Sequence, residues 1–445
     1  MRREISICLS LCLILFAPTL ALADAFAVNW QTGGAVIAAD GTHLTPAACD
    51  YVEKVAPARF AVYEADEDGD ILCRVLDDTG AVVGDQTYDG VYESGRADAL
   101  MVQKDGKYGL SDLALSPILE PEYTQLVENG QGGYLALVTD PYDDRPDGVY
   151  LVDEKGEERA TGVKIEYGLG AFTDNLMPVV SAESGRMGYL GPDGNFAIAP
   201  QYEYAGDFHG GMAEACLDTG AGVIDASGNW LLTPRYQTVS LGGADGRMIL
   251  AQQDGALILL IDPDTFKVKR RFEGTDIYFS AYSGAYLAAL YMDESTLLVD
   301  YDGKTLLECP LDARFDAWSA KDGRVAVRMG EWGESNVWLY DLSGSRVYGP
   351  CQELWSLGKA GETSLYACAS FEVTEEVDPD IVWRAYVETP GTRTLCVVNQ
   401  NGDAVLGPFP CEYIQLIDGK FIACESESAV EIFDLSGQPL TRIEK

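Results

Sequence analysis

At 445 residues, with 47% hydrophobic and 23% charged residues, the chain has the balance of a folded protein larger than one ordinary core, which excludes wholesale disorder. Its 71 Asp and Glu against 31 Lys and Arg give a formal charge of -40, a surface that repels phosphate backbones and argues against a nucleic-acid partner. With 47 Gly, 24 Tyr and only 2 His, the composition suits strands and turns and leaves little histidine for metal or acid-base chemistry.

Taken in chain order, Met1-Arg2-Arg3 precedes an apolar stretch from Ile5 to Phe16, then Pro18 and the small-residue series Ala21-Leu22-Ala23-Asp24-Ala25. This is the layout of a cleavable secretory signal over residues 1–23. Pro18 interrupts the stretch, the bulky Leu11 before Cys12 speaks against a lipid anchor, and no later segment approaches the roughly 20 apolar residues of a spanning helix. The expectation is a secreted or cell-surface chain with no transmembrane anchor after cleavage. Among the later cysteines, Cys216, Cys368 and Cys424 each follow an alanine, where comparable segments place Val or Leu. They read as buried free thiols, not as a disulfide framework.

From residue 24 onward one short pattern recurs: an apolar strand, an acidic or polar turn, and a glycine. It appears as Val36 to Gly41, Val75 to Gly80, Leu151 to Gly156, Tyr189 to Gly194, Val223 to Gly228, Leu298 to Gly303, Leu339 to Gly344, Val397 to Gly402 and Ile432 to Gly437, with weaker copies at Leu110 to Leu115 and Ile261 to Thr265. Spaced about 34 to 39 residues apart where the steps are regular, these make about eleven units of one supersecondary size. Each unit reads as a strand, a tight turn, a second strand, then a third apolar strand. The clearest second strands carry Pro121-Glu122-Tyr123, Pro200-Gln201-Tyr202 and Pro234-Arg235-Tyr236, where proline marks a strand entrance or an exposed edge and tyrosine covers the apolar face. The step from Gly344 to Gly402 is long and predicts a projecting hairpin near 358–394, with Glu372 to Asp380 at its tip.

These residues resemble the WG-repeat proteins of bacteria, most clearly over about 107–240. The best copy is Arg186-Met187-Gly188-Tyr189-Leu190, Gly194, Ile198-Ala199-Pro200-Gln201-Tyr202 and Phe208-His209-Gly210-Gly211-Met212-Ala213. Next come Lys107-Tyr108-Gly109-Leu110 with Pro121 and Tyr123, and Gly222-Val223-Ile224-Asp225 with Gly228, Pro234 and Tyr236. Tyr108 and Met187 replace the defining tryptophan, and the literal Trp332-Gly333 falls at the wrong distance from Gly344. The resemblance implies an interaction module and supplies no catalytic residues.

Residues that could carry chemistry are few. Glu64, Asp66, Asp68 and Asp70 imitate the start of a calcium loop, but the twelfth position is Val75 and strands flank it, so a solvated acidic hairpin turn is the stronger reading. Asp140, Asp143, Asp144 and Asp147 form a second acidic loop. His43 and His209 are far apart, and no Cys-x-x-Cys, His-Glu-x-x-His, Gly-x-Ser-x-Gly or phosphate-loop pattern occurs. Trp30, Trp230, Trp318, Trp338, Trp355 and Trp383 read as core, not as a sugar-stacking surface.

The sequence therefore predicts an all-β array of short antiparallel strands, either a propeller-like ring or an open β superhelix. It predicts an exported, non-catalytic scaffold with no cofactor, binding an unknown protein or cell-envelope ligand. A secreted carbohydrate-active enzyme using rim carboxylates stays open as the alternative.

Overall fold

The computed structural model describes residues 25–445 apart from 31–32, 39–41, 46–48, 67–68, 141, 244–245, 275–277, 282–286, 311–312, 317–322, 331–335, 377–384 and 389–390. Residues 1–23, expected to be the signal, and the Trp332-Gly333 pair lie outside the described residues. Among the described residues every element is a β-strand. Nine sheets of four strands and one of three form ten blades, at 51–88, 90–123, 125–160, 177–202, 204–236, 238–273, 278–310, 314–351, 353–410 and 413–444. Each is an antiparallel meander, except that the ninth admits an extra hairpin between its second and third strands. Among the described residues no helix is long and apolar enough to cross a membrane.

The ring closes on itself. The strands Ala25–Trp30 and Gly33–Ala38 form a two-stranded sheet between the last blade and the first. On one side Phe26, Val28 and Ile37 pack with Ile417, Ile432 and Ile443. On the other Ala25 and Val36 pack with Val52, Phe60 and Leu76. Gln415 donates from Nε2 to the Asn29 carbonyl, and Lys54 pairs with Asp418 at 3.3 Å across the closure. The open superhelix is thereby excluded. Successive sheets share one buried cluster at each boundary, which is how a unit that cannot bury both faces alone becomes stable.

Four strands per blade, not three, is the main correction to the sequence reading. The additional strand is the first, innermost one, and it is often short: Gly90–Glu93, Gln125–Glu128 and Tyr204–Ala205. First strands of neighbouring blades meet one another, whereas last strands such as Glu158–Ala160 and Val268–Glu273 are exposed. An inner strand with few residues and mixed burial leaves little period-2 signal.

The recurring Asp-x-x-Gly is the turn between the third and fourth strands. Oδ1 of Asp77, Asp112, Asp153, Asp225, Asp300, Asp341 and Asp434 each accepts backbone N–H groups from two and four residues on, at 2.8–3.0 Å. Asn399 does the same with its amide oxygen. The side chain satisfies donors that a tight turn leaves open, the logic of an Asx-turn. Asp225→Ala should therefore lower stability by about 1 kcal/mol, measured as the urea midpoint, while Asp225→Asn retains most of it.

The Gly and Pro of the repeat explain each other. Opposite two residues of the third strand, the fourth strand spends four: Tyr108 and Leu110 face Tyr123 and Leu119, Met187 and Tyr189 face Tyr202 and Ile198, and Ala221 and Val223 face Tyr236 and Leu232. The excess bulges at Pro121, Pro200 and Pro234, and the bulge presses on Gly109, Gly188 and Gly222. A Cβ on Gly188 would lie 2.7 Å from the Ile198 carbonyl and 2.8 Å from the Pro200 nitrogen. All three prolines sit on last strands, the exposed edges where a missing N–H is tolerated. Tyr123, Tyr202 and Tyr236 are buried in the clusters shared with the next blade.

All nine described cysteines are free thiols. Cys368 and Cys424 are buried as expected, but Cys216 is only half-buried. Its carbonyl accepts from Glu203, whereas in the ninth and last blades the acceptors are Ala369 and Glu425, one residue beyond the cysteine. Cys216 is thus one register position off, and on a strand one position exchanges the two faces. Trp30, Trp230, Trp338 and Trp355 pack in or against core clusters, while Trp318 and Trp383 lie outside the described residues.

Candidate functional site

Strand parity places the connections. With four antiparallel strands per blade, the link from one blade to the next and the hairpin joining second and third strands lie at the same end of the ring. The Asp-capped turns occupy the opposite end. Both acidic loops singled out from the sequence are second-to-third connections: Asp66 to Asp70 joins Arg59–Ala65 to Ile71–Asp77, and the loop with Asp140 and Asp147 joins Tyr134–Val138 to Gly148–Val152. The inserted hairpin, Val373–Glu376 paired with Ala385–Glu388, lies between Thr363–Ser370 and Thr394–Asn399 and so emerges at this linker end too. It begins after residue 370, later than the expected 358, because Glu353–Ala360 and Thr363–Ser370 belong to the blade.

The first loop is held by its own aspartate. Asp66 Oδ1 accepts the Asp70 N–H at 2.9 Å, Asp66 and Asp70 also pair through their backbones, and Glu64 lies 3.7 Å from Arg74. Asp68 lies outside the described residues. The second loop is built around Arg145, which the sequence reading passed over. Its guanidinium pairs with Asp143 at 2.7 Å and Glu158 at 3.0 Å, and stacks 4.6 Å from the centre of the Tyr123 ring. Lys107 holds Asp140 at 2.7 Å. The Arg145 hydrogen bonds hold the Asp143 carboxyl down at about 2. Asp144, Asp147 and Tyr142 face solvent, the tyrosine 94% exposed.

Three more tyrosines start first strands at this end: Tyr51, Tyr204 and Tyr413, exposed by 46%, 50% and 47%. Beside Tyr204, Glu203 and Asp218 share Arg186 at 3.4 and 3.3 Å, and a hydrogen bond that the Glu203 carboxyl donates to the Asp218 carboxylate raises Glu203 above its ordinary value. A shallow hollow lined by Glu273, Asp293, Glu294 and Glu308 draws on two adjacent blades.

One functional-looking residue had no signal in the sequence. Glu214 occupies the slot filled by Leu135, Leu250, Ala367 and Ala423 in other blades, two residues before the carbonyl that accepts the blade-linking N–H. Its carboxylate accepts the Leu241 N–H at 2.6 Å in the neighbouring blade, and burial raises its pKa. A charged residue there becomes legible only once the register of all blades is known. His43 is exposed and His209 half-buried.

Among solved structures, apo AztD from Citrobacter koseri is similar at 14% identity, covering 85% of this chain and 98% of that one, with a TM-score of 0.31. Hsv2p from Kluyveromyces lactis is similar at 12% identity, covering 57% and 96%, with a TM-score of 0.29. Dihydro-heme d1 dehydrogenase NirN is similar at 14% identity, covering 66% and 74%, with a TM-score of 0.32. No curated protein matches the sequence significantly. The family model of the WG containing repeat matches 187–218, which holds the last two strands of the three-stranded blade four, with Gly188, Gly194, Pro200 and Tyr202, and the first two strands of blade five. This all-β ring is thus built of repeated antiparallel sheets, and its residues 187–218 match the model of the WG containing repeat.

Proposed function

We propose that this chain is an exported, non-catalytic scaffold whose linker end captures a cationic or neutral protein or cell-envelope ligand. The observation that carries the reading is convergence. Strand parity brings both acidic loops, the exposed Tyr51, Tyr142, Tyr204 and Tyr413, and the hairpin inserted in blade nine to one end of a ring whose other end is given to self-capped turns. Tyrosines offer rigid, amphipathic contact area, and carboxylates steer cations at a rate that falls with salt. The ring supplies a fixed frame, and its connections carry the variation. Export rests on the signal-like residues 1–23.

The test deletes Glu372 to Asp380. The variant should keep the parent's thermal midpoint and lose at least about tenfold in affinity for a lysine-rich polypeptide probe at low salt. Unfolding of the variant, or unchanged capture, overturns the reading. Secreted material whose N-terminal sequence begins near Met1 overturns the cleavage. Cleavage of a polysaccharide by the purified protein, abolished by Glu308→Gln or another single carboxylate change in the Glu273 to Glu308 hollow, puts the enzyme in the scaffold's place.

A further inference from the structure

One relation recurs at the seams between blades. The last residue before a blade-linking N–H packs against the residue just before that N–H's acceptor in the next blade. Tyr88 meets Val102, Tyr123 meets Ala136, Tyr202 meets Ala215 and Tyr236 meets Ala251 in this way, each pair within one shared cluster. Into blade nine and into the last blade, both positions are cysteine. Gln352 donates to Ala369 and Glu412 donates to Glu425, so the equivalent pairs are Cys351 with Cys368 and Cys411 with Cys424. In each pair the two thiols are in contact. A single cysteine at such a seam is a small apolar filler, as Cys49 is opposite Val62. Two seams with both members changed together have the composition of a bond.

We propose that Cys351–Cys368 and Cys411–Cys424 are paired oxidation sites, and that two disulfides fasten blade nine, which carries the hairpin, to both of its neighbours. The oxidant class is a small-molecule disulfide. A cysteine thiolate attacks it to form a mixed disulfide and release one thiol. The partner cysteine then attacks the protein sulfur and expels the second thiol, so two electrons and both cysteine protons end on the two released thiols. Contact with Cys424 holds Cys411 below its ordinary value, which suits it to the first attack. All four sulfur-bearing residues are at most 5% exposed, so exchange waits on opening of a seam and, once formed, the bonds are shielded. Cys396, the cross-strand partner of Cys368, is the competing thiol.

The test incubates the folded, reduced chain with oxidised glutathione for hours, then quenches with acid, unfolds it and counts thiols. Of the nine thiols from Cys49 to Cys424, five should remain, with a mass loss of about 4 Da and a raised thermal midpoint. Digestion without reduction should yield peptides linking Cys351 to Cys368 and Cys411 to Cys424. Cys351→Ala and Cys411→Ala should each lose one bond, about 2 Da, and leave the other intact. The proposal fails if all nine thiols persist while urea-unfolded chain oxidises, or if the linked peptides join Cys368 to Cys396. Peptide mapping of the unsubstituted chain decides the matter even where a variant does not fold.

Discussion

Gly228→Val and Gly194→Val should each destabilise the ring by about 3–5 kcal/mol, the sum of a strained backbone and an overpacked seam. Gly228 has φ 81° and Gly194 has φ 75°, a region in which a β-branched residue is an outlier. Space is also missing. A Cβ on Gly228 would lie 2.9 Å from Ile198 Cγ2 and 3.3 Å from the Tyr202 hydroxyl, both on the last strand of the preceding blade. On Gly194 it would meet Thr161 Cγ2 at 2.6 Å and Leu135 Cδ2 at 3.2 Å. The turn is therefore also a seam contact, and the Tyr202 hydroxyl donates to the Gly228 carbonyl at 3.2 Å. A drop in thermal midpoint no larger than that of a surface substitution would show that the seam can yield.

The second large effect is acid sensitivity. The carboxyls of Asp77, Asp153, Asp193, Asp225, Asp262, Asp341 and Asp434 all lie below the ordinary aspartate value of 3.8. Asp77, Asp193, Asp262, Asp341 and Asp434 are held down chiefly by side-chain hydrogen bonds, and Asp153 by backbone N–H groups. For Asp225, burial pushes upward and the hydrogen bonds from Asn229 and Ser227 outweigh it. A depressed acid gives stability that is complete above its unfolded value and is lost as pH falls through its folded one. The thermal midpoint should thus hold down to about pH 4 and fall as pH drops below it, as turns in many blades lose their caps together. Glu214, whose burial raises its value, works in the opposite direction. Asn399 holds its turn without a charge, so Asp434→Asn should flatten the profile by one turn's share. A midpoint independent of pH below about 4 would remove the caps from the account of stability.

The capped turns and their glycines could be read from sequence because each has a local mechanism: a side-chain acceptor two and four residues before its donors, and a glycine where φ turns positive. Pro200 was expected at a strand entrance or an exposed edge, and its partner Gly188 explains it only once the bulge is seen. Ring closure was not legible, because it depends on Phe26 and Val28 packing against Ile432 and Ile443, contacts without any local pattern. The candidate site was hidden for a different reason. With three strands per unit, successive loops would alternate between the two ends of an array. The short first strands, such as Tyr204–Ala205, make the count even and gather the acidic loops and the hairpin on one side. Arg145 had no motif, since its role is to neutralise carboxylates that the fold brings to it.

The two-stranded sheet at 25–38 also sets an order of events. Blades are local meanders and can form as the chain emerges, but Asn29 finds Gln415 only after a separation of 386 residues. Until that contact forms, the first and last sheets each present an unpartnered apolar face, with Phe26 and Ile37 on one and Ile432 and Ile443 on the other. A chain that loses its last blade therefore keeps most of its secondary structure and still becomes a sticky open arc. Both of its ends, the sheet at 25–38 with Phe26 and Ile37 and blade nine with Leu395 and Val397, have then lost the blade that covered them, so each would bury its apolar face against another copy.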